Sequence, residues 1–480
     1  MTSTAPVPLG PVAETTVPTW RYLGLVLATG IGSYSFNAVA VALPAVRADF
    51  GASDALLELV VAGYGIPFAV LLIVGGRLGD RFGRHRLFTA GMLLFLLGAI
   101  ACSLAPGIET LLAARVVQGI GVALGTPQVL ATIQATSTGS ARVRAISAFS
   151  ASGGIGSALG QVLGGAVAGT TIGSVSGWRA TFWVAAVCAA IAIALGRLAP
   201  RSRVHMPVAI DIAGTLELGA GILLLTTALT FGPSLGWPWP ILLTLVVGVA
   251  LLVAMWAHQD RIERSGRVPL LPPSILRLRP LQLGLVATGL FFAGFGAILF
   301  VIPRALADGL DVPPLGAGLA LLPFALVFTV VSLLLARIQR RLGDRTLVWG
   351  VAVYVLGLVG IAMTVLLAWT PTLPWVLQPS LVLLGAGQAM LFSPLTQIVV
   401  REVPVEAAGL SGGLFGTVQQ LALSLGVIAI GGISTAAAWT GQAMFAAGAV
   451  FDLAIALSVL ALAIALVGRR AARGHRRHTT

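Results

Sequence analysis

The chain has 480 residues, of which 57% are hydrophobic and 9% charged, with a mean hydropathy of +0.99 and a formal net charge of +13. That balance excludes an ordinary soluble domain and marks an integral membrane protein. All 29 basic residues are arginine and they sit in short loops rather than along one stripe, so the positive charge does not describe a nucleic-acid surface.

Residues 1–19 are rich in proline and threonine and lack a basic n-region, so no cleavable leader is expected. Trp20-Arg21-Tyr22 opens the first of fourteen apolar segments, each near the ~20 residues that a spanning helix needs. They are expected to start near Arg21, Ala55, Arg86, Thr110, Arg144, Trp178, Ile210, Pro240, Leu281, Leu315, Leu347, Trp375, Ala407 and Met444. With the N-terminus inside, 25 arginines fall on the cytoplasmic side, and only Arg47, Arg179 and Arg304 face outward. The positive-inside rule therefore orients the chain with both termini in the cytoplasm of a cell membrane.

Between the second and third segments lies Gly76-Arg77-Leu78-Gly79-Asp80-Arg81-Phe82-Gly83-Arg84-His85-Arg86, with five charged residues and a histidine. Charge at mid-bilayer is expensive, so this stretch is a short cytoplasmic hairpin. It resembles the G-x-L-a-D-r-x-G-r-[KR]-[KR] loop of the major facilitator superfamily. Ala336-Arg337-Ile338-Gln339-Arg340-Arg341-Leu342-Gly343-Asp344-Arg345 echoes it eight segments later. A repeat displaced by eight in fourteen implies six helices, an inserted pair, and six more. The expected divisions are a tail over 1–20, a first half over 21–200, the inserted pair with a charged linker over 201–280, a second half over 281–468, and a basic tail over 469–480. The fold class is all-α integral membrane, and the resemblance makes it a major-facilitator fold with 14 transmembrane helices arranged 6+2+6.

In the hairpin, the expected gating residues are Gly76, Asp80, Arg81, Gly83, Arg84 and Arg86. A topology anchor alone would need the arginines but neither the acid nor the glycines. The resemblance sets Asp80 against the helix N-terminus near Ala408 to Ser411, where the dipole favours an anion. In the fourth segment, Leu111-x-x-x-Arg115-x-x-Gln118-Gly119-x-Gly121 is similar to the family's l-x-x-R-x-x-q-G-x-g, which implies a proton-transfer role for Arg115. Snorkelling of Arg115 to an interface is the plain alternative. In the fifth, Gly156-x-x-x-Gly160-Gln161-x-x-Gly164-Gly165 puts glycines on one helix face, where they let a second backbone approach. The family pattern g-x-x-x-G-P-x-x-G-G marks exporters, but Gln161 replaces its proline.

Further stretches narrow the resemblance: Asp211-x-x-Gly214, Pro314-Leu315-x-Ala317-Gly318-Leu319-x-x-Leu322-Pro323, and Val403-Pro404-x-x-x-Ala408-Gly409-Leu410-Ser411-Gly412. With fourteen segments they are similar to the family of drug:proton antiporters with fourteen spans, over nearly all of the chain beyond residue 20. One departure stands out. The family's first span carries L-D-x-T, whereas this chain has Tyr34-Ser35-Phe36-Asn37, so Ser35 replaces the acid. The acids left for proton coupling beside Arg115 are Glu58, Asp211 and Glu217, with Asp452 as a fourth acid within a span.

The polar residues expected to face a central cavity are Tyr34, Asn37, Gln118, Gln128, Gln161, Gln388 and Gln419, although an interhelical hydrogen bond is the alternative for each. A cavity poor in acid suits a neutral or anionic hydrophobic compound better than a dication. The function implied by the resemblance is proton-coupled export of hydrophobic drugs or antibiotics by alternating access. Uncoupled facilitation or import of a metabolite remains open, and a carrier-like sensor is the reading from another class. No G-x-x-x-x-G-K-[ST] is present and the five histidines show no metal spacing, so neither an ATP-driven pump nor an enzyme is expected. Cys102 and Cys188 lie in apolar segments, where a disulfide framework is not expected. The expected partners are a hydrophobic small molecule, protons and membrane lipid, with no nucleic acid; the expected state is a monomer with no cofactor, driven by the proton gradient.

Overall fold

Apolar runs of twenty to thirty residues have one economical way to satisfy their backbone in lipid, which is the α-helix. The computed structural model describes residues 17–168, 170–172, 175–202, 211–267, 269–312, 316, 319–343, 345–403, 408–436 and 441–478. Within them lie fourteen helices of 19 residues or more: α1 Leu23–Phe50, α2 Asp54–Phe82, α3 Arg84–Ser103, α4 Ile108–Thr136, α5 Gly139–Ala168, α6 Trp178–Gly196 and α7 Ile212–Leu235. The series continues with α8 Trp239–Arg264, α9 Arg279–Leu310, α10 Leu322–Leu342, α11 Arg345–Leu367, α12 Gln378–Glu402, α13 Ala408–Ala436 and α14 Gly441–His478. Twelve of these contain a stretch long and apolar enough to cross a membrane. Glycines, serines and a glutamine dilute α5 below that level. A two-residue antiparallel ribbon, Thr171–Ile172 on Val175–Ser176, separates α5 from α6.

Helix boundaries differ from expectation in a few places. The fifth helix begins at Gly139 rather than near Arg144, because Arg142 donates to the carbonyls of Ser137 and Gln134 and carries the helix back toward α4. The twelfth begins at Gln378 after a separate turn over Leu373–Val376 that includes Trp375. The tenth begins at Leu322, and the expected starts Ile210, Leu315 and Ala407 lie outside the described residues, as does Asp344. Both basic hairpins turn at a glycine with positive φ, Gly83 at 99° and Gly343 at 56°, a conformation that side chains with a Cβ rarely adopt.

Packing repeats with the same displacement as the sequence. In the first set, α1 packs on α5 and α6, α3 on α4 and α6, and α2 on α4. Eight helices on, α9 packs on α13 and α14, α11 on α12 and α14, and α10 on α12. The two sets meet where α5 lies on α10 and α2 on α13, again an exchange of equivalents. Helices α7 and α8 pair with each other, and α7 touches both α2 and α13.

Candidate functional site

Hydrogen bonds joining α1–α6 to α9–α14 cluster at the end that carries the α2–α3 hairpin. Asp80, buried in the last turn of α2, accepts from Arg84 Nη2 at 2.9 Å and Nε at 3.2 Å. Both its oxygens also lie 3.2 Å from the amide nitrogen of Gly409, in the first turn of α13. A carboxylate at a helix N-terminus meets unsatisfied N–H groups and the positive end of the dipole. Arg84 reaches on to the carbonyl of Ala131 at 3.3 Å and the Ser202 hydroxyl at 3.2 Å. Arg81 lies over the ring of Phe82 at 5.3 Å, and Arg86 is exposed.

Glycine permits that approach. Gly76 and Gly409 touch backbone to backbone, Gly412 lies on Pro127, and Gly413 lies on Ile73, so that a Cβ on Gly413 would come within 2.7 Å of the Ile73 Cα. One residue absent from the sequence-based set completes the contact. Gln134 at the end of α4 donates to the carbonyls of Val400 and Val403 at 2.7 Å each, and its Oε1 accepts from Ser411 at 2.8 Å. Arg77 turns the other way, donating to the carbonyls of Leu270 at 2.7 Å and Pro269 at 2.9 Å in the segment after α8. It stands inside the hairpin motif, so its type and position were visible, while its partner 193 residues on was not.

Arg115 is fully buried in α4 rather than snorkelling. Its Nε donates to the Val60 carbonyl at 3.1 Å, its Nη1 to Gln118 Oε1 at 2.6 Å, and the guanidinium lies 4.3 Å from the ring centre of Tyr64. Its Nη2 has no hydrogen-bond partner among the described residues. The Glu58 side chain lies outside the described residues, although its position in α2 is two residues before Val60. Asp211 and Glu217 join α7 to α8. Asp211 accepts from the Gly214 amide at 2.9 Å and from Gln259 at 2.6 Å, while Glu217 lies 2.9 Å from His258 Nδ1.

The glycine face of α5 lies on α1. Gly156 touches the backbone of Gly30, a Cβ on Gly160 would sit 2.6 Å from the Tyr34 carbonyl, and one on Gly164 would sit 2.8 Å from the Ala38 Cα. Gly165, the next residue, is half-buried. The residues expected to line a cavity divide. Gln118 is occupied by Arg115, Gln128 donates to the Gly75 carbonyl at 2.8 Å inside the α2–α4 interface, and Tyr34 donates to the Thr181 carbonyl of α6 at 3.2 Å. Asn37 and Gln161 face each other at 3.4 Å between α1 and α5, with Asn37 also donating to the Ser33 carbonyl. Gln388 is buried with Oε1 unpartnered, and Gln419 is half-buried. Ser35, in place of the first-span acid, is buried with an unpartnered hydroxyl.

At the junction of the two helix sets lies an aromatic cluster that no local pattern announces. Phe392 of α12 is its hub, with ring centres at 5.3 Å from Phe292, 5.8 Å from Phe415, 6.0 Å from Phe328 and 6.4 Å from Phe149. These five rings come from α5, α9, α10, α12 and α13, and Gly154 of α5 lies flat against Phe328. Stacked and edge-on aromatic rings offer a large apolar surface with directional preferences.

Residues 25–208 and 193–427 match the family described as the Major Facilitator Superfamily. The chain is 32% identical over 416 residues to the probable actinorhodin transporter of Streptomyces coelicolor, covering 86% of this chain and 72% of that one. It is also 32% identical over 407 residues to the puromycin resistance protein pur8 of Streptomyces alboniger, covering 83% and 78%. The multidrug resistance protein Stp of Mycobacterium tuberculosis is 30% identical over 425 residues, covering 86% and 75%. Among solved structures, the human organic anion transporter MFSD10 superposes with a TM-score of 0.67 at 15% identity, over 92% of this chain and 100% of that one. The proton:xylose symporter XylE superposes with a TM-score of 0.65 at 16% identity, over 91% and 94%. The chain belongs to the Major Facilitator Superfamily and is a multi-pass membrane transporter, not an enzyme.

Proposed function

We propose that this chain exports hydrophobic small molecules in exchange for protons, by rocking of two six-helix halves about a site between them. All fourteen helices cross the membrane in a 6+2+6 arrangement, the halves spanning residues 21–200 and 281–468. The arginine distribution supports a topology with both termini and the α2–α3 hairpin in the cytoplasm. The contact of Asp80 with the N-terminus of α13 is the observation that carries the mechanism. It closes the cytoplasmic end with a few polar bonds between bare glycine backbones, which can part and re-form as a unit, as alternating access requires. In the proposed cycle, a closed contact at this end belongs to the outward-facing state.

The substrate class rests on two supports. The relatives named above are a probable actinorhodin transporter, a puromycin resistance protein and a multidrug resistance protein, at 30–32% identity. The aromatic cluster offers ring surfaces at the junction, and the first span has Ser35 rather than an acid, which favours neutral or anionic aromatic compounds over dications. Arg115 is assigned to the proton step together with Glu58 of the neighbouring helix. Uncoupled facilitation is the second reading, supported by Ser35 and by Gln161 in place of proline.

The experiment is reconstitution in liposomes with a lumenal pH dye and a panel of neutral, anionic and cationic aromatic compounds. Compound-dependent proton movement that vanishes in Arg115→Ala supports the exchanger. Compound flux without proton movement replaces it with the facilitator, and no flux of any compound refutes both.

A further inference from the structure

Asp452 is the lone ionisable residue of α14 between Gly441 and Arg469. It stands eleven residues beyond Gly441, ~17 Å along the helix axis, and so near the middle of the apolar layer. The side chain is buried, and its Oδ2 accepts from the Tyr354 hydroxyl of α11 at 2.7 Å. Its Oδ1 has no partner among the described residues. That oxygen points at Gly294 of α9, where a Cβ would occupy its place.

Among the described residues the surroundings supply no countercharge. On α9, the ionisable residues are Arg304, Asp308 and Arg279, ten, fourteen and fifteen residues from Gly294, or ~15 Å, ~21 Å and ~22 Å along the helix. On α11 the only titratable group besides Tyr354 is Arg345, nine residues off and ~13 Å away. Helix α13 has none. An ionised carboxylate with one hydrogen bond and no cation is costly in such a place, whereas a proton on the free Oδ1 removes the charge and leaves the Tyr354 bond intact.

We propose that Asp452, held by Tyr354, is a proton-binding site in the second half of the carrier, and that its protonation is linked to which end of the carrier is open. This rests on the proton-coupled reading above and names a group that carries the proton. The step is a proton transfer alone: the O–H bond at Oδ1 breaks when movement of α9 against α14 admits water, the proton leaves on that water, and the carboxylate keeps the Tyr354 bond. Reprotonation from water on the other face closes the cycle. Contacts run from this site to the junction between the halves. The Tyr354 ring centre is 6.1 Å from that of Phe291, Phe291 is 5.0 Å from Phe292, and Phe292 packs on Phe392 and Phe415.

Two measurements on the purified full chain test this without a substrate. Infrared difference spectra across a pH series read the carbonyl stretch of a buried carboxylic acid, and spin labels at Leu198 and Arg341 read opening of the cytoplasmic end at each pH. The proposal expects a titrating band in the wild type that is absent in Asp452→Asn, and an opening equilibrium that moves with pH in the wild type and not in the variant. Tyr354→Phe keeps the carboxyl and loses its donor, so the band remains and its midpoint moves; this variant carries the test if Asp452→Asn does not fold. A band absent from the wild type, a band that ignores pH, or a pH-dependent opening that survives in Asp452→Asn overturns the proposal. Failure of the exchanger reading looks different: the wild type then moves compounds without protons, whatever the band does.

Discussion

Replacing Gly409 with alanine isolates the contact proposed to close the cytoplasmic end. Its Cβ would stand 2.6 Å from Asp80 Oδ2 and closer still to the Gly76 carbonyl, both of them fixed by buried structure. Ordinary contact begins near 3.4 Å, so α2 and α13 must separate by roughly 0.8 Å or more. The Gly409 N–H then stands about 4 Å from the carboxylate, beyond hydrogen-bonding reach. A bond from an amide to a charged acceptor contributes about 1.5–3 kcal/mol, and the two 3.2 Å contacts share one N–H, so they count once. Losing it moves the open–closed equilibrium roughly 10- to 150-fold toward the cytoplasm-open form. Pulsed electron-spin distance measurements between labels at Leu198 and Arg341, both exposed near this end, read that shift as a longer population. Asp80→Asn keeps the shape, drops the charge and shifts the distribution less. An unchanged distribution in Gly409→Ala would refute the assignment of this contact as the closing element.

Other predictions follow from the same geometry. Arg115→Ala leaves Gln118 Oε1 and the Val60 carbonyl without their donor inside a dry interface, a loss of about 1–3 kcal/mol each, and abolishes compound-driven proton movement in liposomes. Arg115→Lys keeps the charge without the planar fork and restores less than half of the rate. On α5, Gly156→Ala drives a methyl into the Gly30 backbone and lowers the thermal midpoint in detergent, whereas Gly153→Ala meets nothing nearer than 3.7 Å and leaves it within a degree or two, about what a helix-propensity change permits. Phe392→Ala removes four ring contacts at the junction, costs about 3–5 kcal/mol of packing, and cuts the flux of polycyclic compounds more than that of small ones.

What could be read from sequence was the chemistry that lipid punishes. A carboxylate and arginines in an otherwise apolar chain have few permitted places, so the hairpin around Asp80 and the buried Arg115 were visible as types and positions. The small residues of α5 were visible as a face, though not that Gly30 and Ala38 of α1 would be what they meet. Polar but uncharged residues were less legible, because a glutamine is satisfied equally by a cavity or by a neighbouring carbonyl. Gln128 and Tyr34 found carbonyls across an interface, and Gln118 found the arginine one turn before it. The aromatic hub was illegible for another reason: Phe149, Phe292, Phe328, Phe392 and Phe415 carry no spacing that marks them out from the other phenylalanines. Asp452 could be picked out as an acid within a span, but its solitude could not, since that depends on what α9, α11 and α13 fail to bring.

Helices α7 and α8 add a constraint to the proposed movement of two halves. Helix α7 touches α2 on one side and α13 on the other, so movement between the halves must slide along one of these two surfaces. Its attachment is unequal. Arg77 of α2 spends two strong bonds on the carbonyls of Pro269 and Leu270, the Leu271 amide donates to Gln259 of α8, and Gln259 donates to Asp211 just before α7. On the α13 side, α7 meets a helix rich in glycine, alanine and leucine. Buried guanidinium bonds break only at the cost of leaving their partners bare, while small apolar surfaces exchange one van der Waals contact for another. Under the proposed rocking of the halves, the pair is therefore expected to travel with the first half, with slip between α7 and α13, beside the glycines that meet Asp80.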